Sequence, residues 1–220
     1  MAHVENIFGY PVVRVKCEDE SLWRNSLLEQ SIEESYRTKS VVKRTHVEGK
    51  DSYIGKGFTS VGQWFQLVDL PGATDLREWI EKTLIENKSV IGLAHKGDTI
   101  HFKRSWSNRM FKGDFGKCHK HTKLDLYMRE NSDFSETDFR ADAVAIFYAD
   151  VPEGSSNLVF IKDGKENTLI DEYPKEQQHW LQPIQGELVI HSPEVWHAVS
   201  VHNSDLPRNV FVFDVDFVDA

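Results

Sequence analysis

The second half of the chain is a succession of short segments with the character of β-strands. From residue 98 onward these include DTIHFKRSWSNRMF, AVAIFYADV, NLVFI, GELVIHS, WHAVSVH and NVFVFDVDFV, separated by turn-forming groups such as PEGSSN and KDGKEN. Seven or eight short strands in one run predict a barrel or a sandwich. Alternation in the last segment puts two sets of residues on opposite faces, namely Phe211, Phe213, Val215 and Phe217 on one and Arg208, Val210, Val212, Asp214 and Asp216 on the other.

The first 95 residues have a partly helical pattern instead. SLWRNSLLEQSIEESYRT predicts a helix with Ser21 as its N-cap, and ATDLREWIEKTLIENKS predicts a second one capped by Thr74 or Asp75. Helices first and strands after indicate a β-core with helices packed on one face. We expect a single domain over residues 1–220, in which 1–95 form a helical and mixed support region and 96–220 form the core.

The composition narrows the class of protein. The chain has 220 residues and a formal net charge of −9, which argues against binding along a nucleic-acid backbone. Its two cysteines, Cys17 and Cys118, form no CxxC pair, so a disulfide framework is not expected. The apolar runs are too short to span a membrane, and the N-terminus lacks the pattern of a secretory signal. These observations predict a cytoplasmic protein without nucleic-acid or membrane partners.

The stretch CHKH, residues 118–121, is the first candidate for chemistry. If it is extended, His119 and His121 project to one face, while Cys118 and Lys120 project to the other. The two imidazoles then either supply two metal ligands or face solvent as ordinary polar residues. The spacing alone does not decide between these interpretations.

A third ligand would have to come from elsewhere in the chain. His197 lies in an apolar strand, where it is either a ligand or a hydrogen-bonded core histidine. His179, His191 and His202 are further candidates. His191 and His197 lie at the two ends of a SPEVW turn, so only one of them needs to face inward.

Three stretches of this chain resemble one known family. Trp106 to His121 is similar to the W-x-N-x4-G-x5-H-x-H signature of the 2-oxoglutarate/Fe(II)-dependent oxygenases of bacteria and bacterial viruses. FYADVPEGSSNLVFI resembles a later hairpin of that family, and GELVIHSPEVWHAVSVHNSDLPR resembles its ending. The resemblance covers roughly residues 98–217, in the family's order.

The resemblance implies a mainly β fold with N-terminal helices around a double-stranded β-helix (jelly-roll, cupin-like) core. It implies that His119, His121 and His197 bind Fe(II), and that Arg208 joins them in the catalytic set by binding the distal carboxylate of 2-oxoglutarate. Asn108 and Tyr148 would also contact this co-substrate. The implied activity is hydroxylation of an unactivated C–H of a peptide or protein side chain or of a small molecule, using O2 and releasing succinate and CO2.

The chain departs from the family pattern at three places. His121 stands where many members carry Asp or Glu, which makes the site neutral and also suitable for Zn(II); Asp125 is the alternative carboxylate. The acidic insert 123–142 is either a lid or a solvated loop. His191 replaces a usual Phe, so it is a competitor for the metal or a contact for substrate.

Two other functions therefore stay open. One is a three-histidine, cupin-like metalloprotein that acts as a hydrolase or a thiol dioxygenase without 2-oxoglutarate. The other is a non-catalytic β-barrel binding module. An inward Arg208 together with Asn108 would favour the oxygenase, because a site without 2-oxoglutarate has no need of the guanidinium. Residues 1–95 are where specificity or assembly into a homodimer would reside.

Overall fold

The structure is a computed structural model that describes residues 2–24, 26–41, 53–54, 58–59, 66–122 and 140–219. Within these ranges the strands are β1 (His3–Ile7), β2 (Tyr10–Lys16), β3 (Tyr53–Ile54), β4 (Phe58–Thr59), β5 (Thr99–Met110), β6 (Phe115–His119), β7 (Ala143–Asp150), β8 (Leu158–Ile161), β9 (Gln178–Leu181), β10 (Glu187–His191), β11 (His197–Val199) and β12 (Arg208–Val218). The α-helices are α1 (Ser26–Val41) and α2 (Thr74–Asn87). The chain is therefore mainly β with helices near its N-terminus, as predicted.

The strands form two antiparallel sheets, and the eight strands in the second half of the chain are divided equally between them. The larger sheet has the order β1-β2-β10-β7-β12-β5-β4, and the smaller has the order β3-β6-β11-β8-β9. Strands β5, β7, β10 and β12 thus belong to one sheet, while β6, β8, β9 and β11 belong to the other. This division into two facing four-stranded layers is the double-stranded β-helix that was expected.

A hairpin near the N-terminus extends the larger sheet. The sequence pattern did not predict this hairpin. Phe8 and Gly9 both have positive φ, at 52° and 91°, and so make the two-residue turn between β1 and β2. Strand β2 then pairs with β10, so that Val13 lies opposite Ile190. The region expected to be helical therefore also contributes strands to the sheet.

Neither helix begins at its expected cap. The Asp19 carboxylate, rather than Ser21, accepts a backbone hydrogen bond and caps a short 3₁₀ turn, and α1 starts only at Ser26. Helix α2 is preceded by Ala73, which makes no side-chain cap, so that neither Thr74 nor Asp75 is the N-cap. A preceding 3₁₀ turn from Pro71 to Ala73 brings the chain into α2 without a capping side chain.

The larger sheet separates two hydrophobic cores. One lies between this sheet and the helices, and it contains Phe211, Phe213, Val215 and Phe217 of β12. The other lies between the two sheets and contains Val210 and Val212 of the same strand. The alternation predicted for β12 is thus confirmed, and its other face points into the interior of the sandwich. Neither helix of the described residues combines the length and apolar character that a membrane span requires.

Candidate metal centre

Three histidines meet at one end of the space between the sheets. His119 ends β6, His121 follows in the next turn, and His197 begins β11 directly opposite His119. Their potential ligand atoms all lie within 4.8 Å of one another. The ring centroids of His119 and His197 are 4.4 Å apart, and those of His121 and His197 are 5.1 Å apart. The structure therefore brings together the three residues that the resemblance had indicated.

Each of the three rings uses its Nδ1 atom in a hydrogen bond. The Nδ1 of His119 lies 2.8 Å from the carbonyl oxygen of Lys117, and that of His197 lies 3.1 Å from the carbonyl of Val195. A carbonyl oxygen can only accept, so Nδ1 carries the proton in both rings. This tautomer presents a lone pair on Nε2, the arrangement typical of metal-binding histidines.

Burial keeps the imidazoles of His119 and His197 neutral. It lowers the pKa of His119 to about 4, with the neighbouring His121 acting in the same direction. It also places the pKa of His197 well below the ordinary value, aided by the other histidines. Neutral rings are the form that binds metal, so both residues are ready to ligate at neutral pH.

Asp214 is a residue of the candidate site that no sequence pattern predicted. Its wholly buried carboxylate lies on β12, with Oδ1 2.6 Å from the Nδ1 of His121. The other oxygen, Oδ2, accepts from the Nε of Arg104 at 2.7 Å and also from its Nη2. Burial raises the pKa of Asp214, but His121 and Arg104 oppose this more strongly, and the pKa stays below its ordinary value. Asp214 is therefore an ionised group directly behind His121.

An aromatic residue of β5 fixes the same ring from its face. Trp106 stacks on His121 with a centroid distance of 5.7 Å and an interplanar angle of 27°. The guanidinium of Arg104 lies 5.6 Å from the Trp106 ring. His121 is thus fixed by a hydrogen bond at its Nδ1 atom and by stacking on the face of its ring.

Arg208 lies at the start of β12, on the interior face where Val210 and Val212 also project. Its side chain is only 2% exposed, as its position in the alternation predicted. The Nη1 atom of Arg208 donates to the hydroxyl of Ser156 at 2.9 Å, and the guanidinium lies 5.2 Å from the Tyr148 ring. A cation is therefore present in the same interior space as the histidines.

Tyr148 and Asn108 flank β12 beside Arg208. Each lies opposite Val210, Tyr148 from β7 and Asn108 from β5. Tyr148 is fully buried, and its hydroxyl has no hydrogen-bond acceptor within the described part of the chain. Burial also raises the pKa of this hydroxyl, so that it stays protonated. Asn108 is half-buried.

His191 faces the same interior as His197, although the turn between them required only one of the two to point inward. Both are buried, and their rings are 5.0 Å apart. The turn between them returns the chain to the facing sheet, so that residues at both of its ends point into the sandwich. His191 is not among the three residues whose ligand atoms cluster. Its Nδ1 lies 2.8 Å from the Ser192 carbonyl oxygen, and its buried Nε2 has no partner among the described residues.

The remaining candidates lie away from the cluster. The Nε2 of His179 lies 3.3 Å from Glu5 near the surface. His202 is buried, but Ser156 and Leu206 occupy its two ring nitrogens. Asp125 and residues 123–139 of the acidic insert lie outside the described residues.

The other residues of CHKH are on the outer side of the smaller sheet, as predicted. Cys118 packs with Val159, Ile161 and Ala198 in a separate hydrophobic cluster. Lys120 pairs with Glu194 at 2.9 Å. Neither residue takes part in the histidine cluster.

Comparison with known proteins gives matches in structure only. No family model and no curated protein sequence matches the chain. A prolyl-4-hydroxylase from Pseudomonas putida superposes with a TM-score of 0.52 at 15% identity, over 96% of this chain and 94% of that chain. The α-ketoglutarate-dependent carbocyclase SnoK of nogalamycin biosynthesis gives 0.54 at 16% identity, with coverages of 95% and 79%.

A third similar structure is HygX from Streptomyces hygroscopicus, which was determined with nickel and 2-oxoglutarate bound. It gives a TM-score of 0.52 at 11% identity, over 93% of this chain and 82% of that chain. At these identities the likeness concerns the backbone arrangement. The resemblance drawn from the sequence is confirmed at this level: the chain has the double-stranded β-helix fold of the 2-oxoglutarate/Fe(II) oxygenases.

Proposed function

We propose that the chain is an Fe(II)- and 2-oxoglutarate-dependent oxygenase that hydroxylates an unactivated C–H of a peptide or protein side chain or of a small molecule. The observation that carries the proposal is the combination of three clustered histidines with a buried arginine in one interior space. A guanidinium matches a carboxylate through two parallel hydrogen bonds. The pairing of an imidazole cluster with a carboxylate-binding group suits a metal and an acidic co-substrate together.

The donor set fits a divalent transition metal. His119, His121 and His197 each have a hydrogen-bonded Nδ1, which leaves Nε2 as the ligand atom. Imidazole nitrogen suits iron, zinc, copper and nickel. Fe(II) bound there would supply the activation of O2 that couples decarboxylation of 2-oxoglutarate to oxidation of the substrate. The protein would bind the metal through the three histidines on one side and would exclude water from the opposite side of the metal.

Arg208 is proposed to bind the distal carboxylate of 2-oxoglutarate. The hydroxyl of Tyr148 supports this assignment, because it is buried beside Arg208 and lacks a hydrogen-bond acceptor that a carboxylate would provide. Asn108 is proposed to donate from the neighbouring strand. Val210, between these residues, contributes an apolar wall that strengthens the charged contacts by excluding water.

A metalloprotein that does not use 2-oxoglutarate is the second candidate. The observation in its favour is that all three clustered side chains are imidazoles, which suit Zn(II) with an open coordination position as well as they suit iron. In such a protein Arg208 would have no task at the metal. The response of Arg208 variants to 2-oxoglutarate therefore separates the two functions.

The test is an anaerobic titration of the Fe(II)-loaded protein with 2-oxoglutarate, followed by visible absorbance. We expect a metal-to-ligand charge-transfer band that saturates with the co-substrate. Arg208→Ala should weaken 2-oxoglutarate binding by on the order of 100-fold, because a charged pair of hydrogen bonds is lost. Arg208→Lys, which keeps the charge, should lose less. Melting temperatures of the metal-free variants control for misfolding.

The outcomes separate the candidates. A wild-type protein that binds Fe(II) but develops no band with 2-oxoglutarate would contradict the oxygenase and favour the second candidate. A band of unchanged affinity in folded Arg208→Ala would contradict the role given to Arg208.

A further inference from the structure

The proposed metal ligands lack the negative charge that a carboxylate ligand would bring. His119 and His197 are hydrogen-bonded to backbone carbonyl oxygens, which carry no formal charge. A divalent cation held only by neutral groups in a buried place keeps its full charge in a medium of low polarity, which is unfavourable. A compensating anion close to the ligands would therefore strengthen binding.

Asp214 is an anion in the required position. Its side chain is 0% exposed, and its Oδ1 lies 2.6 Å from the Nδ1 of His121. The residue comes from β12, where it lies opposite Arg104 of β5. Arg104 donates to the second oxygen, Oδ2, so that Oδ1 is left for the imidazole. A metal-bound histidine whose other nitrogen donates to a carboxylate is oriented by it and becomes a stronger ligand.

We propose that Asp214 is the positioning residue of the metal centre and that, acting through His121, it supplies the carboxylate that the H-x-H sequence omits. The carboxylate accepts the Nδ1 proton of His121, which fixes the tautomer with Nε2 directed to the metal. Trp106 prevents the ring from rotating away, because it stacks on the face of His121. His121 and Asp214 together thus perform the task of one carboxylate ligand. This inference rests on the metal site of the proposed function, but it does not require 2-oxoglutarate.

A purely structural role is the competing explanation. Asp214 would then be present only to neutralise Arg104, whose side chain is 13% exposed. The two explanations differ in what each partner's removal does. If Asp214 serves Arg104, both substitutions have the same consequence. If Asp214 serves His121, removal of Arg104 leaves the useful contact in place.

The first measurement is calorimetric titration of the metal-free protein with Co(II), and with Fe(II) under anaerobic conditions. Asp214→Asn should bind either metal about 10–100-fold more weakly than wild type. Asp216→Asn is the matched control, because Asp216 lies two residues along β12 and pairs with Lys103 at 3.0 Å rather than with a histidine. This control should bind metal as wild type does. The Co(II) absorption spectrum should change for Asp214→Asn only.

The second measurement is a double-mutant cycle with His121→Asp. A carboxylate at position 121 would bind the metal itself, so Asp214 would have nothing to contribute through this position. Asp214→Asn should then weaken metal binding by no more than about twofold in the His121→Asp background. An equal loss in both backgrounds would overturn the proposal, as would wild-type affinity in folded Asp214→Asn.

Arg104→Met decides the question if Asp214→Asn does not fold. It should retain the metal affinity of the wild type, because the contact between Asp214 and His121 stays. A loss as large as the 10–100-fold expected for Asp214→Asn would show that Asp214 acts through Arg104 and would overturn the proposal. If the wild-type protein itself binds no metal, the proposed function fails together with this inference; metal binding that is indifferent to Asp214 refutes this inference alone.

Discussion

Among single residues, His191 shows most directly how burial determines the protonation state of a side chain. It is 0% exposed, and its ring meets the edge of Phe160 at a centroid distance of 5.5 Å. Burial lowers its pKa to about 4, although the hydrogen bond to Ser192 acts in the opposite direction. The ring is therefore neutral in the folded protein at pH values where an exposed histidine would be charged.

This property predicts how the metal-free protein responds to acid. Between pH 6.5 and pH 4 the unfolded chain takes up a proton at position 191 and the folded protein does not, so the free energy of unfolding falls as the pH falls. The shift from 6.5 to about 4 corresponds to roughly 3 kcal/mol for this residue. His191→Phe should flatten the decline by about that amount, as measured by urea denaturation across this pH range.

Ile190→Val is the control for the His191 experiment. Ile190 lies on the same strand but points to the helix-facing core. Its truncation should lower stability by about 0.5–1.5 kcal/mol at every pH, since no proton is involved. Parallel pH curves for wild type and His191→Phe would contradict the assignment.

The sequence predicted some of these residues and not others for a physical reason. His119 and His121 are close in sequence, so strand alternation alone puts them on one face. Asp214 could be placed on the inner face of its strand, but not beside His121, because 93 residues separate the two. That contact depends on how β12 of the larger sheet faces the turn after β6 of the smaller sheet, which no local pattern specifies. Whether His191 faces inward together with His197 was left open for the same reason.

Among the secondary-structure elements, the larger sheet has a different role on each of its two faces. Its outer face packs on α2 through Leu76, Ile80 and Leu84, which are all almost completely buried. Its inner face carries Arg208 and Asp214 toward the histidines. Side chains alternate along β12, so one strand serves stability and the candidate site at once.

This separation predicts that a core substitution under the helix leaves the site intact. Leu84→Ala should lower the free energy of unfolding by about 2–5 kcal/mol in urea denaturation, because it leaves a cavity at a 0% exposed position. Lys82→Ala on the exposed side of the same helix should change it by no more than about 0.5 kcal/mol. Both variants, while folded, should bind metal as the wild type does. A loss of metal affinity in Leu84→Ala would contradict the separation.

Elements with strong local signals were predicted best. The eight strands from β5 to β12 fall in the half of the chain that was expected to form the core, and the stripe on α2 faces that core. Strand β9 and the hairpin of β1 and β2 were missed. The hairpin is stabilised by pairing with β10, more than 170 residues away, so its partner is invisible in the local sequence. The caps were misplaced because neighbouring 3₁₀ turns moved the helix starts.

For the whole molecule, the layers follow one another from helices to the larger sheet to the smaller sheet. The candidate site lies between the sheets, and the helices cover the far face of the larger one. The clustered histidines in and after β6 and in β11 of the smaller sheet face the interior surface of the larger one, where Asp214 contacts His121 and Arg208 is also buried. The candidate site therefore requires both sheets, since neither sheet alone contains all of its residues.

We propose that this chain uses O2 to decarboxylate 2-oxoglutarate at a metal held by its histidines. The most direct measurement is mass spectrometry of the succinate formed by the Fe(II)-loaded protein under ¹⁸O₂. The claim predicts that each succinate carries one labelled oxygen atom, and that His119→Ala, which lacks a proposed ligand, forms none. Absence of labelled succinate from wild-type protein that has been shown to contain Fe(II) and to bind 2-oxoglutarate would contradict it.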